Sequence, residues 1–307
     1  MQGRVPPHAG TSATEPSLDA EYATRAAVPD AERWMERRAE LSRRAHERFA
    51  HRADVPYGDH PDQRLDVFPA AGEANPVLVY FHGGAWRMHD KGVVAFLAES
   101  LVPAGVTLVA PGFSLAPVAT LDVMVRQAAE AVRWVHTHAG DVGVDPARLY
   151  VAGHSSGAHL AAMLLGRPGF AGWGLPPDVI SGACITSGLY DLEPVIRTSM
   201  NDWLHLDVTA ARRNSPSRLV RPEGPPIVAA VGGNETDAFR RQTADYVAVW
   251  RAAGNEATVV DMPGHHHYSL MIELHDPGSP LLAALLAMTG RAPRREDRQE
   301  PASGSGA

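Results

Sequence analysis

Apolar positions along the chain fall into two kinds of run. Some are short and continuous. Pro76 is followed by Val77, Leu78, Val79, Tyr80 and Phe81, a run that suits a strand buried on both faces. Others recur at helical spacing, as from Leu121 to His136, with polar residues on the opposite side. The short runs predict strands at 64–68, 77–81, 106–110, 148–152, 181–187, 226–231 and 257–261. The helical pattern predicts helices at 30–52, 93–101, 121–136, 156–165, 237–253 and 280–289. Strands alternating with helices imply an α/β fold, with an open, mostly parallel sheet covered on both faces. In the 30–52 helix Trp34, Met35, Leu41 and Phe49 are spread among many Arg and Glu. It therefore reads as a peripheral cap outside the core, started by Asp30 after Pro29. Residues 190–222 lack a clean strand and are expected to form a lid over the carboxyl ends of the sheet. Residues 1–16 and 291–307 are polar and rich in Gly, Pro and Ser, and are expected to be disordered. The resulting organisation is a disordered 1–16, a helical cap segment 17–53, one domain over 54–290 and a disordered tail.

Composition narrows the class. The 307 residues are 45% hydrophobic and 21% charged, enough to bury a core without disulfide or metal staples. A net charge of −7 gives a nucleic-acid partner no electrostatic support. The single cysteine, Cys184, cannot form an intrachain disulfide and fits a reducing compartment. No run reaches the roughly 18 apolar residues of a membrane span, and residues 1–16 lack the apolar core of a signal peptide. The expectation is a soluble, cytoplasmic chain with no membrane partner.

The sharpest chemical signal is Gly153-His154-Ser155-Ser156-Gly157, between a predicted strand and a small-residue helix. A G-x-S-x-G turn in that setting lifts its serine above a helix N-terminus in a strained conformation, and the glycines let strand and helix approach. The second signal is His82-Gly83-Gly84-Ala85-Trp86, directly after the buried 77–81 run. A Gly-rich bend there can aim backbone N–H groups at a developing oxyanion. The expected donors are Gly84, Ala85 and Ser156, with Gly83 able to replace one of them. A serine nucleophile needs a base and an orienting carboxylate. Glu235 stands just past the 226–231 strand and is the favoured acid. Asp237 is the competitor, better suited to cap the next helix, and Asp191 is an outside candidate. The base is one of His265, His266 and His267, which follow the last strand. Three adjacent histidines cannot converge on one ion from one strand, and neither an H-E-x-x-H motif nor a cysteine cluster accompanies them. No metal site is expected. His136 and His138, near a helix end, read as surface or dipole-compensating groups.

On these residues the chain resembles the α/β-hydrolases, specifically the kynurenine formamidase (arylformamidase) branch beside the hormone-sensitive-lipase-like esterases. The resemblance covers roughly residues 54–290. It rests on Tyr57-Gly58 with Gln63-Arg64-Leu65-Asp66-Val67-Phe68, on His82-Gly83-Gly84-Ala85-Trp86, and on Asp145-Pro146 with Arg148 before the serine turn. It continues through Ser187-Gly188-Leu189-Tyr190-Asp191-Leu192, Gly233-Asn234-Glu235 with Phe239 and Gln242, and His267-Tyr268. The resemblance selects His267 as base and matches Glu235 as acid. It implies attack by Ser155 on a formamide or ester carbonyl, an acyl-enzyme, and no metal or organic cofactor. The implied partner is a small acyl or formyl substrate, N-formylkynurenine in the lead, within tryptophan catabolism; a homodimer is left open. Trp86 and His154 are the expected substrate contacts, Trp86 by stacking on an aromatic ring or else as a wall of the core. A short-chain carboxylesterase and a biosynthetic tailoring hydrolase are the alternatives. A non-catalytic scaffold would be expected to lack one of the three catalytic positions, and all three are filled.

Overall fold

The computed structural model describes residues 17–166 and 175–293. The two ends expected to be disordered therefore lie outside the described residues, apart from 291–293. Eight strands form one sheet: β1 (Arg52–Pro56), β2 (Arg64–Phe68), β3 (Asn75–Phe81), β4 (Thr107–Pro111), β5 (Val144–His154), β6 (Gly182–Thr186), β7 (Ile227–Gly232) and β8 (Ala257–Met262). Their spatial order is β1-β2-β4-β3-β5-β6-β7-β8. The β1/β2 and β2/β4 pairs are antiparallel, and β4, β3, β5, β6, β7 and β8 run parallel. This is the α/β-hydrolase fold.

The continuous apolar run of β3 has a plain reason. Val77, Val79 and Phe81 enter one core cluster, while Leu78 and Tyr80 enter the other on the opposite face. Leu149 and Val151 of β5 alternate with Tyr150 and Ala152 in the same way. A strand buried on both sides needs apolar residues at every position.

The helices are α1 (Leu18–Tyr22), α2 (Thr24–Ala27), α3 (Ala31–Arg48), α4 (Ala98–Leu101), α5 (Leu121–Thr137), α6 (Ser156–Gly166), α7 (Asn201–Leu204), α8 (Val208–Arg213), α9 (Asp237–Ala252), α10 (His267–Met271) and α11 (Pro280–Met288). Helices α5, α6 and α9 cover the first face, and α3, α4 and α11 the second. Among the described residues no helix is long and apolar enough to cross a membrane.

Several expectations change. Strand β1 was not predicted: Arg-Ala-Asp-Val-Pro is a mostly exposed edge strand with an irregular register, and it lacks apolar alternation. The helix expected over 30–52 ends at Arg48, and Asp30 holds its N-cap position without a side-chain capping hydrogen bond. The Asp30 carboxylate instead accepts the Trp34 indole N–H at 3.0 Å. The helix expected at 93–101 is a 3-10 segment, Lys91–Leu97, followed by α4, and the Asp90 side chain caps its start. The 190–222 segment holds α7, α8 and short 3-10 turns.

Candidate active site

Every strand that carries a candidate residue presents it beyond its carboxyl end, where open α/β sheets place their ligands. Strand β5 ends at His154 and α6 begins at Ser156, so Ser155 alone makes the turn, with φ of 57°. That left-handed conformation is strained for a side chain. It is held by the Ser155 N–H, which donates to the Thr186 carbonyl at 2.9 Å. Glycine is required on both sides. A Cβ on Gly153 would collide with the Gly157 backbone, and one on Gly157 with the Phe81 carbonyl. Gly157→Ala is therefore expected to cost about 1–3 kcal/mol of stability, read as a lowered thermal midpoint. An unchanged midpoint would show that the turn relaxes freely.

The second bend lies against the first. A Cβ on Gly83 would approach the His154 carbonyl to 2.7 Å, and one on Gly84 would strike the Met88 carbonyl. Gly84, Ala85 and Trp86 all have positive φ, at 128°, 52° and 57°. Three carbonyls of the bend are tied down. The His82 ring nitrogen Nδ1 donates to the Gly83 oxygen at 2.9 Å. The Arg87 and Met88 amides donate to the Gly84 oxygen at 3.0 and 2.9 Å. The Trp203 indole N–H donates to the Ala85 oxygen at 3.0 Å. Fixing a carbonyl fixes the plane of its peptide, and so the direction of the next N–H. The amides of Gly83, Gly84, Ala85 and Ser156 have no acceptor among the described residues, which leaves them open to a ligand oxygen. Burial pushes the His82 imidazole down to about 4, so the ring is neutral, and it stacks on Phe113 with centroids 4.4 Å apart.

Glu235 and His267 meet. His267 Nδ1 donates to Glu235 Oε2 at 2.7 Å. The other carboxylate oxygen accepts the Ser187 hydroxyl at 2.5 Å and the Gly232 amide at 2.9 Å. Burial pushes the Glu235 carboxyl up, but the His267 charge and these three hydrogen bonds outweigh it and hold the group below its usual value. The two loops are stitched together by the Asn234 N–H, which donates to the His265 carbonyl at 2.9 Å. Phe239 packs edge-on against the His267 ring at 4.8 Å, and His154 lies 4.5 Å from it on another side.

The competitors are elsewhere. Asp237 is one residue inside α9, where Thr236 holds the N-cap position, and its exposed carboxylate pairs with Arg240. Asp191 accepts the Glu193 amide and the Ser215 hydroxyl within the 190–222 segment. His265 lies 3.5 Å from Glu273, and His266 caps α10 by accepting the Tyr268 and Ser269 amides. Among the described residues no three His, Cys, Asp or Glu side chains converge as metal ligands would.

Trp86 departs from the stacking role. It is 1% exposed and sits in the core, its indole N–H donating to His159 Nδ1 at 3.2 Å. His159 in turn donates through Nε2 to the Asn214 carbonyl at 2.8 Å. The indole thus ties the bend to the 190–222 segment and is unavailable for stacking on a ligand. His154 does reach the cavity. Burial and the neighbouring His267 push its imidazole well below the usual value. Its Nδ1 lies 3.0 Å from the Thr186 hydroxyl.

Gly83, Gly84, Ala85, His154, Ser155 and His267 line one cavity of about 200 Å³. Its other walls come from Tyr22 and Thr24 of the N-terminal segment, Met35 and Arg38 of α3, and Met200. The charged helix is therefore more than a peripheral cap. Trp203 and Arg38 are site residues that the sequence did not single out, and His82 and Ser187 stand in its motifs without an assigned role.

Residues 78–271 match the family model described as alpha/beta hydrolase fold. The chain is 36% identical to a kynurenine formamidase of Danio rerio over 78% of its own length and 82% of the relative's. It is 29% identical to the esterase LipQ of Mycobacterium tuberculosis, over 72% of its own length and 58% of that protein's. Among solved structures, a candidate thioesterase from Silicibacter sp. tm1040 superposes with a TM-score of 0.75 at 29% identity, covering 87% of this chain and 98% of that one.

Proposed function

The chain belongs to the alpha/beta hydrolase fold family and is a hydrolase, and on that premise we propose that it cleaves a small aryl formamide through an acyl-enzyme on Ser155. The observation that carries this reading is the 2.7 Å contact between His267 Nδ1 and Glu235, in the same cavity as Ser155 and the Gly83–Ala85 bend. With Nδ1–H committed to the carboxylate, Nε2 carries the lone pair, so the ring is in the tautomer a general base needs. Ser155 Oγ attacks the carbonyl carbon while its proton passes to His267 Nε2. The ionised Glu235 steadies the imidazolium that forms. The carbonyl oxygen takes up the negative charge facing the amides of Gly84, Ala85 and Ser156, with α6 running away behind it and its positive end turned to the site. Collapse breaks the carbon–nitrogen bond, and His267 returns the proton to the departing aryl amine. Water, deprotonated by the same ring, then attacks the acyl-serine. It releases formate and restores the Ser155 hydroxyl.

The formamide is favoured by the length over which the chain matches the Danio rerio kynurenine formamidase. A carboxylesterase with the same machinery is the second reading, favoured by the likeness to LipQ. The separating experiment is steady-state kinetics on N-formylkynurenine and 4-nitrophenyl acetate side by side. A kcat/KM preference for the formamide of about 100-fold, equivalent to ~2.7 kcal/mol of transition-state binding, is expected. A preference for the ester with background formamide turnover would retain the machinery and discard the formamide.

A further inference from the structure

Arg38 lies on the inward face of α3 and is 6% exposed, yet it lines the cavity that holds Ser155 and His267. Among the described residues no carboxylate comes within ion-pair distance of it. Its partners are neutral. One terminal nitrogen lies 3.1 Å from the Met271 sulfur. The other lies 3.2 Å from His89 Nε2 and 3.4 Å from Nδ1. The third nitrogen, Nε, is buried with no partner among the described residues. Burial and the adjacent guanidinium push the His89 imidazole down to about 4, so His89 supplies a lone pair and no countercharge. Asp90, the next residue along, accepts the Gly92 amide and lies beyond ion-pair distance, so its charge reaches the guanidinium without pairing with it. The other arginine of the cavity wall, Arg25, is exposed and paired with Glu32.

A buried guanidinium is costly unless an anion compensates it. Its planar fork of donors matches a carboxylate in bidentate geometry. Met271 and His89 hold the fork in place without neutralising it, and the charge faces the cavity in which the acyl group must react. We infer that Arg38 is a specificity residue that binds a carboxylate carried by the substrate, so that the preferred substrate class is a small aryl acyl compound with an anionic side arm. This rests on the hydrolase reading of the same cavity.

The experiment uses matched pairs that differ only in charge: 4-(2-formamidophenyl)-4-oxobutanoate and its primary amide, and 3-(4-acetoxyphenyl)propanoate and its primary amide. In whichever pair the enzyme turns over, the acid is expected to have the higher kcat/KM. Arg38→Met is expected to raise KM for the acid by about 10- to 100-fold and to leave the amide within about 3-fold. Arg38→Lys, which keeps the charge but loses the fork, is expected to fall between them. It also provides the test if the methionine variant does not fold. Equal rates for acid and amide in the wild type, or equal losses on both in the variants, would overturn the inference. Calorimetric binding of the product-like 4-(2-aminophenyl)-4-oxobutanoate needs no turnover. Binding weakened in the Arg38 variants supports the carboxylate site even if neither pair is hydrolysed. Binding unchanged by the substitutions refutes it, whatever the serine machinery does.

Discussion

Replacing Ser155 with alanine is expected to lower kcat by about 10³-fold or more while leaving the thermal midpoint nearly unchanged. Both halves follow from the turn. The Ser155 backbone is held at φ of 57° by its amide bond to Thr186 and by the steric fit of Gly153 and Gly157. Alanine bears the same left-handed strain as serine, so the substitution adds none. What is lost is the hydroxyl above the N-terminus of α6, and with it any acyl-enzyme. The residual rate would be what the open amides and the cavity give to attack by water. Steady-state kinetics and a melting curve on the same preparation check both parts. Activity within tenfold of the wild type would remove Ser155 from the reaction.

Glu235→Gln is expected to reduce kcat by about 10³- to 10⁴-fold with little change in fold. Glutamine fills the same volume, and its carbonyl oxygen can still accept from the Ser187 hydroxyl and the Gly232 amide. The amide NH₂ then faces His267 Nδ1, which must accept in place of donating. That tautomer places the proton on Nε2, where the base needs a lone pair. The imidazolium also loses its countercharge. Asp237→Asn breaks only an exposed contact with Arg240 and is expected to stay within about twofold. A dead Asp237→Asn beside an active Glu235→Gln would reverse the choice of acid.

The parts of the site legible in the sequence are those built by local chain geometry. A nucleophile turn needs glycines at fixed offsets, and the sheet that supports it needs continuous apolar strands. Gly153, Gly157 and the 77–81 run therefore announce their positions. The choice between Glu235 and Asp237 was open on spacing alone, because both follow β7. What distinguishes their surroundings is a hydrogen-bonded pocket assembled from Ser187, Gly232 and His267, far apart in the chain. Trp86 is open between two roles for a related reason. An indole after a Gly-rich bend suits either a ligand or the core, and the partner that claims it, His159, lies 73 residues away. Arg38 was hidden among the neighbouring arginines of α3. Its signal is positional: with Ala31, Leu41, Ser42 and Ala45 it falls on the one buried stripe of that helix, where a cation is out of place. Strand β1 left no pattern because an exposed edge strand requires none.

The central claim is that the cavity runs covalent chemistry on Ser155. The most direct measurement is intact-mass and peptide-level mass spectrometry of the protein quenched in acid during turnover of 4-nitrophenyl acetate. One acetyl group on Ser155 is expected, absent in Ser155→Ala and slow to form in His267→Ala. An acetyl group on another residue, or turnover with no adduct on Ser155, would contradict the account.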